Sequence, residues 1–137
     1  MSSDVLDDYK PSDDEEFMNP RHVSYFRNKL IAWKEELLAE SRETIVNLQK
    51  DSQNHPDVAD RASSETDRSV ELKARDRQRK LIAKIESALL RIQEGSYGYC
   101  EETGEPIGVG RLEARPIATL SVEAQERHEK REKVYRD

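Results

Sequence analysis

Asn19-Pro20-Arg21-His22-Val23-Ser24-Tyr25-Phe26-Arg27-Asn28-Lys29-Leu30-Ile31-Ala32-Trp33-Lys34-Glu35-Glu36-Leu37 is the stretch on which the fold turns. Asn19 is a good N-cap residue, and Pro20 suits the first helical position, where its missing N–H is no loss. From there Val23, Phe26, Leu30, Trp33 and Leu37 recur at alternating steps of three and four. That spacing lays apolar side chains along one stripe of a helix, the a/d seam of a coiled coil. The seam thins after Leu37 and returns with Ile45 and Leu48. His22 and His55 read as helix-end residues, either capping or exposed.

A second helix is expected from about Ser64 to Glu94, stopped by Gly95 as a C-cap. Its seam is Val70, Ala74, Gln78, Leu81, Ile85, Ala88 and Ile92, widened by Ile82 and Leu89. Between the two seams lies a polar link containing Pro56, which interrupts a helix, and so short a link forces the arms antiparallel. Arms of about 30 residues would each run about 45 Å. The fold class is therefore mainly α: a long antiparallel coiled-coil hairpin, a small zinc-finger-like globular module and a C-terminal helix. The expected organisation is an acidic flexible arm over 1–18, the hairpin over 19–95 with its tip near 55–64, and the module with its helix over 96–137.

Composition agrees with this division. In 137 residues, 34% are hydrophobic and 38% charged. That ratio suits helices burying a single stripe better than a large spherical core. No apolar run approaches the length needed to span a bilayer, and no signal peptide is expected ahead of the acidic start. The single cysteine excludes an internal disulfide and fits a reducing cytoplasm. A formal net charge of −6 argues against a polyphosphate backbone as the main partner. Residues 1–16 carry seven carboxylates among few apolar side chains, so this arm is expected to stay mobile.

Beyond Gly95 the chain holds a metal-site frame with most of its ligands replaced. Cys100 and Thr103 stand where a CxxC pair would sit, and Ser121 and Ala124 stand where a second pair would follow. One thiolate, two neutral hydroxyls and a methyl group make a poor zinc site, even with His128 one turn beyond Ala124. No metal is expected, and the frame is read as vestigial. Ile107, Leu112, Ile117 and Leu120 are the expected buried residues, and Ser121 is read as the N-cap of a charged final helix.

Gly95-Ser96-Tyr97-Gly98-Tyr99-Cys100, Gly104-Glu105-Pro106-Ile107 and Arg111-Leu112-Glu113-Ala114-Arg115-Pro116 occur in order on this architecture. Together with Asp57-Val58-Ala59-Asp60-Arg61-Ala62 and Arg75-Asp76-Arg77-Gln78-Arg79-Lys80-Leu81-Ile82, they closely resemble the DksA/TraR family of bacterial transcription regulators. The likeness runs from about Asp14 to the end and is to the long, cysteine-poor members. It implies a cytoplasmic, monomeric, non-enzymatic protein that binds RNA polymerase rather than DNA. It further implies that the coiled coil enters the secondary channel and brings Asp57, Asp60 and Ala62 near the active centre. The alarmone ppGpp is the implied effector, potentiating the regulation, with Arg77, Lys80, Lys84, Arg111 and Arg115 as its binding residues. Gln125 departs from the family pattern, standing where a lysine often contributes to the alarmone site.

Each of these residues also has an ordinary role. Asp57 and Asp60 suit a turn, and Lys73, Arg75, Arg77, Arg79, Lys80 and Lys84 suit the solvated flank of a coiled coil. Arg77, Lys80 and Lys84 follow helical spacing and share a face. No nucleophile with a base and an orienting partner is evident, nor a phosphate-cradling glycine loop. The competing readings are a coiled-coil adaptor with another partner and a channel-binding transcript-cleavage factor.

Overall fold

The computed structural model describes residues 9–53 and 58–136, without the side chains of 48, 51–53, 58–64 and 135–136. Four helices follow in order: α1 Pro20–Gln53, α2 Val58–Glu94, α3 Val109–Ala114 and α4 Val122–Arg136. The only extended pairing among the described residues is an isolated antiparallel bridge between Tyr99 and Pro106.

The expected caps are in place. Asn19 Oδ1 accepts from the N–H groups of Arg21 (2.8 Å) and His22 (3.2 Å), two donors that an α-helix leaves unpaired at its start. Gly95, at φ +87°, closes α2, and the N–H groups of Ser96 and Tyr97 return to the Arg91 carbonyl at 2.9 and 3.2 Å. Ser121 Oγ accepts from the Ala124 N–H at 3.2 Å and opens α4. One boundary is corrected: α2 begins at Val58 rather than at Ser64. Nothing between Val58 and Ser64 is Gly or Pro, so the helix has no reason to wait.

The chain divides into two compact units, one gathering the residues up to Leu30 with those from Ser87 onward, the other Ile31–Glu86. Within Ile31–Glu86, Lys34 pairs with Glu86 at 3.1 Å and Glu40 accepts from Gln78 at 3.1 Å. The partner number falls on one helix as it rises on the other, so the arms run antiparallel, as expected. Leu37 and Ile85 are buried in this seam, while Trp33 and Leu81 are half-buried, because two helices cover a seam residue from limited directions. Val70 departs from its expected seam role: it is 63% exposed. Heptad spacing marks a face of one helix, not the arrival of an apolar partner from the other.

The other unit has a continuous apolar centre: Phe26, Leu30, Ala88, Leu112 and Ala124 are fully buried, joined by Ile92, Tyr97, Ile107 and Val109. Ile117 and Leu120, expected to be buried, are half-buried. The expected mobile arm is corrected from Tyr9 onward. Arg21 lies 4.1 Å over the Tyr9 ring, and Tyr9 donates its hydroxyl to Glu15 at 2.8 Å. Phe17 meets Tyr99 edge-on at 5.5 Å, Pro11 is buried, and a Cβ on Gly98 would lie 3.2 Å from Met18 Sδ. Between the carboxylates, Tyr9, Pro11, Phe17 and Met18 supply enough apolar surface to hold the segment down. His22, expected to be a cap or exposed, is fully buried, and its Nδ1 accepts the Met18 N–H at 3.1 Å.

Candidate functional site

The C-terminal module is built around a tight loop at Cys100. The Cys100 N–H donates to the Glu105 carbonyl at 2.8 Å, and the Gly104 N–H returns to the Cys100 carbonyl at 2.8 Å. Gly104 holds φ +75°, which a side chain would strain. The sulfur is buried among hydrogen-bond donors. Burial alone pushes the thiol up, but the Thr103 hydroxyl and the backbone N–H groups of Ser121, Thr103 and Glu102 bring it down to about 6.

These residues do not fit zinc. Thr103 Oγ1 is engaged by the Glu105 N–H at 3.2 Å, Ser121 Oγ caps α4, and the fully buried Ala124 has no ligand atom. His128 does not turn to Cys100; its Nε2 lies 2.9 Å from Glu102 Oε1. Among the described residues no group of three or more His, Cys, Asp or Glu side chains could hold a metal ion. Structural zinc asks for four donors, mostly thiolate or imidazole.

α3 carries the Arg111–Pro116 segment. It is six residues long, and Gly108 at its start, with φ +105°, gives no side-chain cap. Tethers hold it instead. Glu113 Oε1 accepts from the Tyr25 hydroxyl at 2.5 Å and from Lys29 Nζ at 2.6 Å. Burial works against the Glu113 carboxylate, yet Lys29 and Tyr25 keep it below the usual range. On the other side of the bond, burial and then Glu113 raise Tyr25 to about 12. Arg111 Nε donates to the Leu120 carbonyl at 2.9 Å, so this residue, expected at the effector site, also braces the approach to α4. Arg115 is exposed, with its N–H bonded to the Arg111 carbonyl at 2.7 Å. The Tyr25–Lys29–Glu113 cluster was not legible beforehand. Its only sequence trace is a Tyr and a Lys four apart on α1, off the seam.

On α2, Arg77, Lys80 and Lys84 are exposed on one face. Lys80 reaches Asp76 at 3.2 Å, where Arg79 also binds at 2.6 Å. The Asp76 carboxyl is lowered by Lys80 and then Arg79. Gln125, in the first turn of α4, bonds Glu129 at 3.1 Å. Arg77, Lys80 and Lys84 belong to the Ile31–Glu86 unit, Arg111 and Arg115 to the other. Of the tip residues, Asp57 lies outside the described residues. Asp60 and Ala62 lie in α2, with side chains outside the described set.

Known proteins resemble the chain over nearly its whole length. The profile of the DnaK suppressor protein DksA, N-terminal domain, matches residues 22–92, and that of the prokaryotic dksA/traR C4-type zinc finger matches residues 95–130. The RNA polymerase-binding transcription factor DksA of Caulobacter vibrioides is 71% identical, covering 95% of this chain and 92% of that protein. Its namesake in Escherichia coli K12 is 42% identical, over 93% of this chain and 85% of that protein. A solved structure of transcription factor DksA2 from Pseudomonas aeruginosa matches with a TM-score of 0.80 at 43% identity, covering 85% of this chain and 90% of that one.

Proposed function

Because the chain belongs to the DksA/TraR family, we propose that it binds RNA polymerase and regulates transcription initiation. The observation that carries this reading is the 71% identity, spanning nearly all of both chains, to a protein named an RNA polymerase-binding transcription factor. The antiparallel pairing of Ile31–Glu86 supports entry of the hairpin into the secondary channel, since a slender two-helix rod suits a narrow pore. In this reading Asp57 and Asp60 are delivered to the active centre, where carboxylates reorganise cationic or metal-bound groups. Ala62 allows close approach beside them.

The effector is ppGpp, with Arg77, Lys80, Lys84, Arg111 and Arg115 as its binding residues. Exposed ammonium and guanidinium groups suit pyrophosphate because charge-assisted bonds to phosphate are strong. Lys80 and Arg111 carry other bonds as well, which leaves Arg77, Lys84 and Arg115 as the leading contacts. The protein acts in the cytoplasm as a monomer, without catalysis and without direct DNA contact. Its donor set does not favour zinc.

Transcription in vitro from a ribosomal RNA promoter, with purified RNA polymerase and with or without ppGpp, tests the proposal. Inhibition that deepens with ppGpp is expected. Absence of any effect, with no retention of the chain on polymerase, would return it to the class of coiled-coil adaptors. Cleavage of the transcript in stalled complexes would instead make it a cleavage factor.

A further inference from the structure

Arg115 combines a free side chain with a fixed backbone. It is exposed, and its guanidinium makes no ion pair or hydrogen bond among the described residues. Three residues before it Leu112 is fully buried, and two before it Glu113 is bonded to Tyr25 and Lys29 of α1, residues 88 and 84 positions from Glu113 in the chain. Immediately after it, Pro116 is buried and its carbonyl accepts the hydroxyl of the buried Tyr97 at 2.7 Å. The Ala118 N–H closes a turn on the Arg115 carbonyl at 3.0 Å. A helix as short as α3, without a side-chain cap, does not hold its own shape, so the tethers define where Arg115 stands.

We infer that Tyr25, Lys29 and Glu113 form a positioning clamp that sets Arg115 for an anionic, phosphate-bearing effector. The inference rests on the effector reading above and adds to it residues that do not touch the ligand. Two features separate the clamp from ordinary structural support. The Lys29 and Glu113 side chains are 36% and 37% exposed, and ion pairs at that exposure add little to folding stability. Both bonds also converge on a single oxygen, Glu113 Oε1, so they fix the direction of the carboxylate and hence the rotation of α3. A cation preset in this way binds phosphate without first losing backbone freedom, which is the usual gain from preorganisation.

The test is a ppGpp titration of transcription inhibition with the full chain and RNA polymerase, alongside thermal unfolding of each variant. Tyr25→Phe and Glu113→Gln each remove clamp bonding at nearly constant shape. They should raise the half-effective ppGpp concentration about three- to tenfold, less than loss of a direct charge-assisted bond to the ligand, because the clamp acts only through the position of Arg115. Inhibition without ppGpp and the melting temperature should hardly move. Lys29→Arg should restore most of what Lys29→Met loses. In the double variant Arg115→Ala/Glu113→Gln the shift should equal that of Arg115→Ala alone, because the clamp acts only through Arg115. Arg115→Ala without any shift would overturn the effector site and the clamp with it. A shift for Arg115→Ala but none for Tyr25→Phe and Glu113→Gln would overturn the clamp alone. So would equal losses with and without ppGpp, or full additivity in the double variant.

Discussion

Cys100→Ala should destabilise the C-terminal module by about 2–4 kcal/mol, although it removes neither a metal nor a disulfide. The sulfur is buried and accepts from the Thr103 hydroxyl and from the N–H groups of Ser121, Thr103 and Glu102. Thr103 and Glu102 are exposed, so water replaces the sulfur there at small cost. Ser121 is buried, and its stranded N–H costs about 1–3 kcal/mol. The lost volume, near that of a methylene, adds about 1 kcal/mol. Hydrogen bonding to the charged form outweighs burial and lowers the folded thiol from 9.0 to about 6. Between those values the unfolded chain holds a proton that the folded chain has released. Wild-type stability therefore rises with pH across this window and is lost as pH falls through about 6. The alanine variant has no such group. Thermal unfolding of both proteins by far-ultraviolet circular dichroism, in steps from about pH 6 to about pH 9, reads the difference. The gap should widen with pH. A constant or shrinking gap, or one below about 1 kcal/mol throughout, would show that the sulfur is an ordinary packed thiol.

Asp60→Asn should keep folding and polymerase affinity while losing most inhibition in transcription assays, with the melting temperature as the control for folding. Lys84→Ala and Arg115→Ala should each weaken the ppGpp response about ten- to a hundredfold, whereas Gln125→Lys should hold or strengthen it, all read by ppGpp titration. Dialysis against a strong chelator should leave the melting curve unchanged, and elemental analysis of protein purified without added metal should find zinc far below stoichiometric. Leu112→Ala, at a fully buried position, should cost about 2–5 kcal/mol in urea unfolding, from lost burial and the cavity left behind.

The hairpin was legible because each of its signals is local. Asn19 and Pro20 start α1, Gly95 stops α2, and the seam residues between them repeat with a period the helix itself imposes. Ser121 was readable as a cap for the same reason. What escaped was set by partners far away in the chain. Tyr9, Phe17 and Met18 sit in an acidic segment whose composition argues for mobility, yet Phe17 finds Tyr99 and Met18 finds Gly98. Glu113 reads as one more charge in a polar run, and its meaning comes only from Tyr25 and Lys29. Val70 shows the converse error, a correct period with no cover over it. The tip and effector assignments rest on resemblance alone, since single Asp, Lys and Arg residues in a polar sequence carry no signature of their own.

In a zinc-held finger the metal does two jobs: it neutralises the thiolates and ties one ligand loop to the other. Here the jobs are separated. Neutralisation falls to the donors around the lone sulfur, which lower Cys100 much as a cation would, though less strongly. Tying falls to bonds that bridge the same two stretches of chain: Tyr97 to the Pro116 carbonyl at 2.7 Å, the Glu101 N–H to the Thr119 carbonyl at 2.9 Å, and Cys100 to the Ser121 N–H. Three such bonds contribute about 1 kcal/mol each, well short of the roughly 10–16 kcal/mol a structural zinc supplies to a finger peptide. The remainder must come from burial, and the substitutions follow that requirement. At position 124 a methyl group lies fully buried where a ligand would have stood, and at position 121 a hydroxyl starts the helix. Phe26 and Ala88 of the helices are buried in the same unit as Tyr97, Ile107, Leu112 and Ala124, and the Phe26 and Tyr97 rings lie 5.9 Å apart. A free finger could not draw on α1 and α2 in this way. Fusion of the module to the base of the helices therefore supplies burial that a free finger would have to replace with a metal.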